Sequence, residues 1–334
     1  MESNVVAFFG PRRSKRYCIV GGAGFIGSHF TDRLLEDAQV AGVTLYDNFS
    51  SGREWHYEHH LSDPRLTIVR GDVGDLATLT KTLAGHDVVV HLASNPDIAR
   101  AATEPEIDFY QGTLLTNNVL EAMRRAGVPR LLYASGSGVY GELGSTEANE
   151  DLGPLVPVST YGASKLAGEA LICSYCHMFR LSARVFRFGN VVGPRQTHGV
   201  GLDFVRRLKA DPCELRILGD GKQSKSYIHV YDVVTAVLCA NTVEPSAFQT
   251  FNVATGDYIT VTEIADLAVG VLGLERPPQY CYTGGDRGWK GDVPIVRLNT
   301  DRIQSLGWKC ERNCRQAMTE SMMSLAAEER TNHV

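Results

Sequence analysis

A chain of 334 residues, 43% hydrophobic and 21% charged, can bury a large core and form one or two domains. Its net charge of -5 argues against a nucleic-acid surface, and the basic run Arg12-Arg13-Ser14-Lys15-Arg16 is too short to reverse that. No apolar run approaches the ~18 residues of a membrane span. Val5 to Phe9 is too short for a signal-peptide core, and eight scattered cysteines are not a disulfide framework, so the expected location is the cytoplasm.

Residues 1–15 read as an N-terminal extension. Tyr17-Cys18-Ile19-Val20 then reads as a strand, followed by glycines at 21, 24 and 27 and a helical pattern with Phe25, Ile26, Phe30, Leu34 and Leu35 inside. Strand, tight turn and helix in that order form a dinucleotide cradle. Gly21 turns the chain, Gly24 lets a pyrophosphate approach the backbone, and Gly27 lets the helix pack on the strand. The free N–H groups and the positive end of the helix dipole then face the phosphates. Asp47 follows the next strand-like run, Val43-Thr44-Leu45-Tyr46. A carboxylate there takes a ribose 2′-OH and repels a 2′-phosphate, so NAD is expected over NADP.

The alternation continues. Arg65 to Arg70 is a third strand, Leu76 to Leu83 a helix, Asp87 to Leu92 a buried fourth strand and Ile107 to Arg125 a long helix. Arg130 to Ala134 is a fifth strand, Tyr161 to Phe179 a helix and Ser182 to Phe188 a sixth strand. Alternating apolar strands and helices imply α/β architecture with a parallel sheet covered on both faces and ligands beyond the strands' carboxyl ends. After Asn190 the alternation loosens, and residues 191–226 and 256–330 read as a smaller lobe, with 227–255 (strand, helix, strand) returning to the first domain, 16–190. Residues beyond about 327 read as a frayed tail. His56, Glu58, His59 and His60 read as a polar helix or loop rather than a metal site, and Cys173 and Cys176 as helix cysteines.

Tyr161-Gly162-Ala163-Ser164-Lys165 carries the chemistry. Residues four apart share a helix face, so Lys165 sits one turn from Tyr161. A free tyrosine titrates near 10. An ammonium and a cationic nicotinamide both favour the phenolate, which can then take a proton from a sugar hydroxyl while hydride leaves the same carbon.

With these residues in view, the chain resembles the extended short-chain dehydrogenase/reductases, specifically their nucleotide-sugar epimerase/dehydratase family. The resemblance runs from Val20-Gly21-Gly22-Ala23-Gly24-Phe25-Ile26-Gly27 through Tyr46-Asp47-Asn48-Phe49-Ser50-Ser51-Gly52, Gly71-Asp72-Val73, His91-Leu92-Ala93-Ser94 and Ala134-Ser135-Gly136-Ser137-Gly138-Val139-Tyr140-Gly141. It continues through the Tyr161–Lys165 motif, Arg187 to Arg195, Leu218 to Gln223, Tyr227 to Asp232 and Leu306-Gly307-Trp308. It implies a Rossmann-type doubly wound parallel sheet with a smaller mixed α/β C-terminal substrate lobe. It also implies an NAD cofactor, a nucleotide-sugar substrate (UDP-linked by expectation) and a homodimer joined through the helices at 107–125 and 161–179.

By the same resemblance, Asp72 and Val73 flank the adenine, Asp47 and Asn48 the ribose, and Leu92, Ala93 and Ser94 the nicotinamide. Asn190 contacts the sugar diphosphate, and Arg195, Lys225 and Arg287 or Lys290 clamp it. Relatives usually carry Ser or Thr where this chain has Gly136, so Ser135 or Ser137 is expected to supply the catalytic hydroxyl. Family dehydratases usually carry Thr-Asp-Glu where this chain has Gly136-Ser137-Gly138, and decarboxylases a Glu at Gly138. Transient C4 oxidation, rotation of the 4-keto sugar and hydride return remain: a 4-epimerase acting on a UDP-hexose or UDP-uronic acid. The alternatives are a decarboxylase, 4,6-dehydratase or 4-ketoreductase, or, in another class, a non-catalytic NAD-binding regulator.

Overall fold

The computed structural model describes residues 14–243 and 246–331, so most of the N-terminal extension lies outside the described residues. The strands are β1 (Lys15–Val20), β2 (Val40–Asp47), β3 (Leu66–Arg70), β4 (Val88–His91), β5 (Arg130–Gly136), β6 (Ser182–Phe188), β7 (Asn190–Val192), β8 (Glu214–Ile217), β9 (Ser224–Lys225), β10 (Tyr227–His229), β11 (Phe248–Val253), β12 (Ile259–Thr260) and β13 (Gln279–Tyr282). The helices are α1 (Phe25–Leu35), α2 (Leu76–Leu83), α3 (Leu115–Ala126), α4 (Thr160–Phe179), α5 (Val200–Ala210), α6 (Val230–Thr242), α7 (Val261–Leu272), α8 (Asp301–Gln304) and α9 (Cys314–Thr331).

Seven strands form one parallel sheet in the order β11-β6-β5-β4-β1-β2-β3. The strand order reverses beside β1, which opens a crevice at the carboxyl ends of β1 and β4, the place where doubly wound sheets bind ligands. Because β1 and β4 are buried on both faces, they read as continuous apolar runs, and their neighbours pack into separate cores above and below the sheet. One core joins Phe30, Leu34, Phe186, Phe251 and Val233; the other joins Val20, Leu120, Met123, Tyr133 and Ile172.

A further core, built from Phe204, Leu208, Ile217, Ile264, Met318 and Met322, holds α5, α7 and α9 together against β8. The stretch 227–255 divides: β11 joins the main sheet beside β6, whereas β10 pairs with β7 in a separate two-stranded ladder. The residues read as a frayed tail are instead helical as far as Thr331. Met318, Met322 and Leu325 recur at helical spacing and bury that face, and Glu328 accepts the backbone N–H of Arg195.

The long helix expected from Ile107 opens with a π-helical turn, Phe109–Leu114, before α3. Gly112 makes room there, since a Cβ would lie 2.5 Å from Ser164 Oγ on α4.

Candidate active site

The sequence between β1 and α1 builds a phosphate cradle by steric necessity. Gly21 has φ +83°, and a Cβ on it would lie 2.7 Å from the backbone nitrogen of Ala93. A Cβ on Gly27 would lie 2.6 Å from Gly22 O. At Gly24, which caps α1, a Cβ meets only Gly21 O at 3.3 Å. No side chain caps α1 and no acidic residue sits in its first turn, so its N–H groups remain available to an anion.

Asp47 is buried, and its carboxylate accepts from Ala23 N at 2.9 Å and Phe49 N at 2.8 Å. These bonds fix the rim of the crevice and leave further lone pairs for a ribose hydroxyl. Asn48 donates to Asp72 Oδ2 at 2.8 Å, and Asp72 Oδ1 accepts from Gly74 N at 2.7 Å. The residues present therefore fit a dinucleotide.

The crevice opens into a continuous cavity of about 1000 Å³. Gly21, Gly24, Phe25, Ile26, Gly27, Asp47, Asn48, Ser50, Ser51, Asp72, Val73, Leu92, Ala93 and Ser94 line it, as do Ser135, Ser137, Tyr161, Lys165, Asn190 and Lys225. Gly52 is absent from the lining. It packs behind it, where a Cβ would lie 2.8 Å from Ala23 Cβ and 3.0 Å from Asp47 Oδ1.

Tyr161 and Lys165 share a face of α4, with Lys165 Nζ 5.5 Å from the Tyr161 ring centroid. Lys165 is buried and donates to Ala134 O at 2.9 Å. Burial lowers its titration to about 8, against the pull of the Asp108 and Glu169 carboxylates. Burial pushes the Tyr161 phenol up to about 12; contact with the Ser94 hydroxyl pulls it down and Asp108 pushes it up. The ammonium one turn away thus does not outweigh burial, and the polypeptide by itself favours the phenol. A cationic ring bound beside Tyr161 would act in the opposite direction.

Behind this wall lies a buried ion pair. Arg187 donates to Glu169 from Nη2 at 2.7 Å and from Nε at 3.1 and 3.2 Å. Ser135 Oγ donates to the same Glu169 at 2.5 Å. Arg187 Nη1 reaches Tyr140 OH at 2.9 Å, and Tyr140 OH donates to Asn252 Oδ1 at 2.8 Å. The network pins the loop from Ser135 to Tyr140 against α4. Ser135 therefore lines the cavity with its hydroxyl proton already committed, whereas Ser137 faces the cavity from the same loop.

The expected basic clamp needs correction. Arg195 lies outside the cavity lining. Its guanidinium pairs with Asp32 and bonds His56 O at 3.0 Å and His29 Nδ1 at 2.8 Å, stitching α1 to the loop after β7. Arg287 also lies outside the lining, held by Glu142 and by Asp292 O at 3.0 Å, and Lys290 is exposed. Lys225 is in the lining but pairs with the buried Asp292 carboxylate, so its charge is already partly balanced. Arg195, Lys225 and Arg287 each pair with an acid brought from far along the chain: Asp32, Asp292 and Glu142.

Residues that sequence reasoning missed fill the rest. Tyr110 and Gln111 enter the cavity from the π turn; Gln196, His198, Arg207, Gln223 and Trp289 enter from the second lobe. Trp289 lies between the basic residues Arg287 and Lys290, and Arg207 lies on an amphipathic helix whose outward face carries no motif.

Asp32, His59 and His60 meet on the outer side of α1, with His59 and His60 Nε2 at 3.0 and 2.8 Å from Asp32 Oδ1. The Arg195 guanidinium pairs with the same carboxylate and joins these side chains in one polar cluster.

A family model, the NAD dependent epimerase/dehydratase family, matches residues 17–254. The chain belongs to this family. A UDP-glucose 4-epimerase of Mycolicibacterium smegmatis is 33% identical over 88% of this chain and 93% of its own. A crystal structure of a UDP-galactose 4-epimerase, 34% identical, superposes with a TM-score of 0.82 over 94% of this chain and 99% of that one. A dTDP-glucose 4,6-dehydratase from Streptomyces venezuelae, solved with NAD, is 25% identical with a TM-score of 0.86 over 95% and 98% of the two chains. NAD is the cofactor of the family, in keeping with the cradle at Gly21, Gly24 and Gly27.

Proposed function

We propose that this family member is an NAD-dependent UDP-sugar 4-epimerase. The observation that carries the reading is the wall beside Tyr161. Ser135-Gly136-Ser137-Gly138 lines the cavity without a carboxylate, and the Glu169 behind it is locked to Arg187. Eliminating water across C5 and C6 needs an acid and a base at that wall. Fold likeness does not choose, since an epimerase and a dehydratase both superpose closely; the side chains do. The epimerase relatives support the same choice.

When bound, NAD supplies the oxidising power, accepting hydride from C4 and returning it. Tyr161 takes the C4 hydroxyl proton and later gives it back. Lys165 anchors α4 to β5 through Ala134 O and keeps its charge one helical turn from the phenol. Gly21, Gly24 and Gly27 seat the pyrophosphate, and Asp47 and Asn48 hold the ribose. Asp72 and Val73 flank the adenine, and Leu92, Ala93 and Ser94 the nicotinamide. Asn190 and Lys225 contact the sugar diphosphate, with Arg207 on α5 as a further cation in the lining. Ser137 is favoured over Ser135 as the sugar-facing hydroxyl.

We assign residues 16–190, with 227–255 returning, to cofactor binding, and 191–226 and 256–330 to the nucleotide sugar. Phe109, Met178 and Phe179 are exposed on and beside α3 and α4, which supports a homodimer through these helices. The working location is the cytoplasm; among the described residues no helix is long and apolar enough to cross a membrane.

The test is product analysis. Incubation with UDP-glucose, UDP-glucuronate and dTDP-glucose should give, for a UDP-sugar, unchanged mass and a new stereoisomer. Loss of water or carbon dioxide would replace the assignment with dehydratase or decarboxylase.

A further inference from the structure

The Lys165 ammonium is poorly supplied with polar partners. The residue is 4% exposed, and among the described residues Nζ makes one hydrogen bond, to Ala134 O at 2.9 Å. An ammonium carries three donors, so burial leaves part of its charge without a hydrogen-bond acceptor. Two aromatic rings stand beside it instead. Nζ lies 5.2 Å from the centroid of the Tyr133 ring and 5.5 Å from that of Tyr161, both within reach of a cation–π attraction. Tyr161 belongs to the cavity wall, whereas Tyr133, on β5, is 1% exposed and lies outside the lining. The fold fixes the Tyr133 ring on two sides. Gly168, on α4, packs so closely on its hydroxyl end that a Cβ would lie 2.6 Å from Tyr133 OH. The His91 ring, from β4, lies 5.4 Å away between centroids.

Resting on the reading that Tyr161 and Lys165 carry the chemistry, we propose that Tyr133 is a positioning residue for them: the face of its ring holds the Lys165 ammonium charged and in place, one helical turn from the Tyr161 phenol. No bond is made or broken at Tyr133. A desolvated cation is where such an attraction is strongest. Burial lowers Lys165 to about 8, so a further pull toward the charged form governs how much ammonium stands beside the phenol. The other groups around Lys165 leave that task to the ring. Asp108 and Glu169 both favour the ammonium, but Glu169 is locked to Arg187, and Asp108 accepts from Asn95 at 2.8 Å and Thr160 at 2.7 Å. Burial lowers His91 to about 3, so it stays neutral where Lys165 titrates. Burial also raises the Tyr133 phenol, so its ring stays uncharged there.

The experiment uses the NAD-loaded protein with Tyr133→Phe, Tyr133→Leu and trifluorophenylalanine at position 133, which keeps the shape of the Phe ring and drains its negative face. Magnetic resonance of the lysine side-chain nitrogens, with Lys165 assigned by its loss in Lys165→Met, titrates the ammonium directly and does not depend on turnover. Tyr133→Phe should leave the Lys165 titration and kcat close to the parent. Tyr133→Leu should move the titration down by about one pH unit. It should also lower kcat by about tenfold on the alkaline side, with KM and bound NAD unchanged. The fluorinated ring should move both in the same direction within an intact core, so the test stands even where Tyr133→Leu does not fold. A merely structural role would cost stability and leave the titration where it is. A fluorinated ring that titrates like Tyr133→Phe, or a Tyr133→Phe shift as large as that of Tyr133→Leu, overturns the proposal. Turnover persisting in Tyr161→Phe would instead remove the underlying reading. An inactive Tyr161→Phe beside an unmoved Lys165 titration removes this proposal alone.

Discussion

Arg187→Met should be among the most damaging single changes outside the cofactor cradle. The Arg187 and Glu169 side chains are each 5% exposed, and Arg187 supplies two of the three donor groups, Nε and Nη2, that reach the Glu169 carboxylate. Removing the guanidinium leaves a buried carboxylate with the Ser135 hydroxyl as its remaining side-chain donor. Breaking such a pair from one side costs about 3–5 kcal/mol. Glu169→Gln leaves the opposite charge stranded and should cost a comparable amount. The double variant, Arg187→Met with Glu169→Gln, strands no charge and should be more stable than the sum of the singles by about 2 kcal/mol. Urea unfolding at saturating NAD, followed by circular dichroism and tryptophan fluorescence, gives the three differences and checks two-state behaviour. If Arg187→Met lies within about 1 kcal/mol of the parent, or the singles add, the pair does not hold the wall as argued. Because the pair pins the loop from Ser135 to Tyr140, the single variants should also lose kcat before they lose fold.

Further outcomes follow from particular contacts. Gly27→Ala puts a methyl 2.6 Å from Gly22 O and 2.7 Å from Gly21 O, both backbone atoms, so the purified variant should no longer carry NAD by extraction and absorbance. Tyr161→Phe should lower kcat by about 10²–10⁴-fold with NAD still bound, as measured by the same extraction. Stability should fall on acidification because His29 is buried neutral: Nε2 donates to Pro194 O at 2.9 Å, Nδ1 accepts from Arg195, and burial together with the Arg195 charge lowers it to about 4. An unfolded histidine titrates near 6.5. The unfolded state therefore binds the extra proton between those values, and stability declines as pH falls from about 6.5 to about 4. His29→Gln should flatten that slope in a series of urea titrations; an unchanged slope would remove His29 as a contributor.

The cradle and the Tyr161–Lys165 pair were readable because backbone geometry and helical spacing are local. Only glycine tolerates the contacts at 21 and 27, and residues four apart on a helix need no tertiary information. The cations were not readable, because their partners come from far along the chain. Asp32 takes Arg195 across 163 positions, and Glu142 takes Arg287 across 145. Tyr110 and Gln111 were hidden by the π turn, which changes the register a regular helix predicts. The gap at Gly136 was visible in the sequence. Which neighbouring hydroxyl is already committed was not, since it depends on Glu169 claiming Ser135 from 34 positions away. The tail past 327 was misread because its charged residues hid the buried stripe of Met318, Met322 and Leu325 one face away.

The central claim is that one carbon gives up its hydride and takes the same hydride back on its other face. UDP-glucose carrying deuterium at C4 tests this most directly. Magnetic resonance of the product should show the label retained at C4 of the inverted sugar, with no solvent hydrogen entering C4 or C5. Loss of the C4 label to water, or solvent hydrogen at C5, would contradict the account.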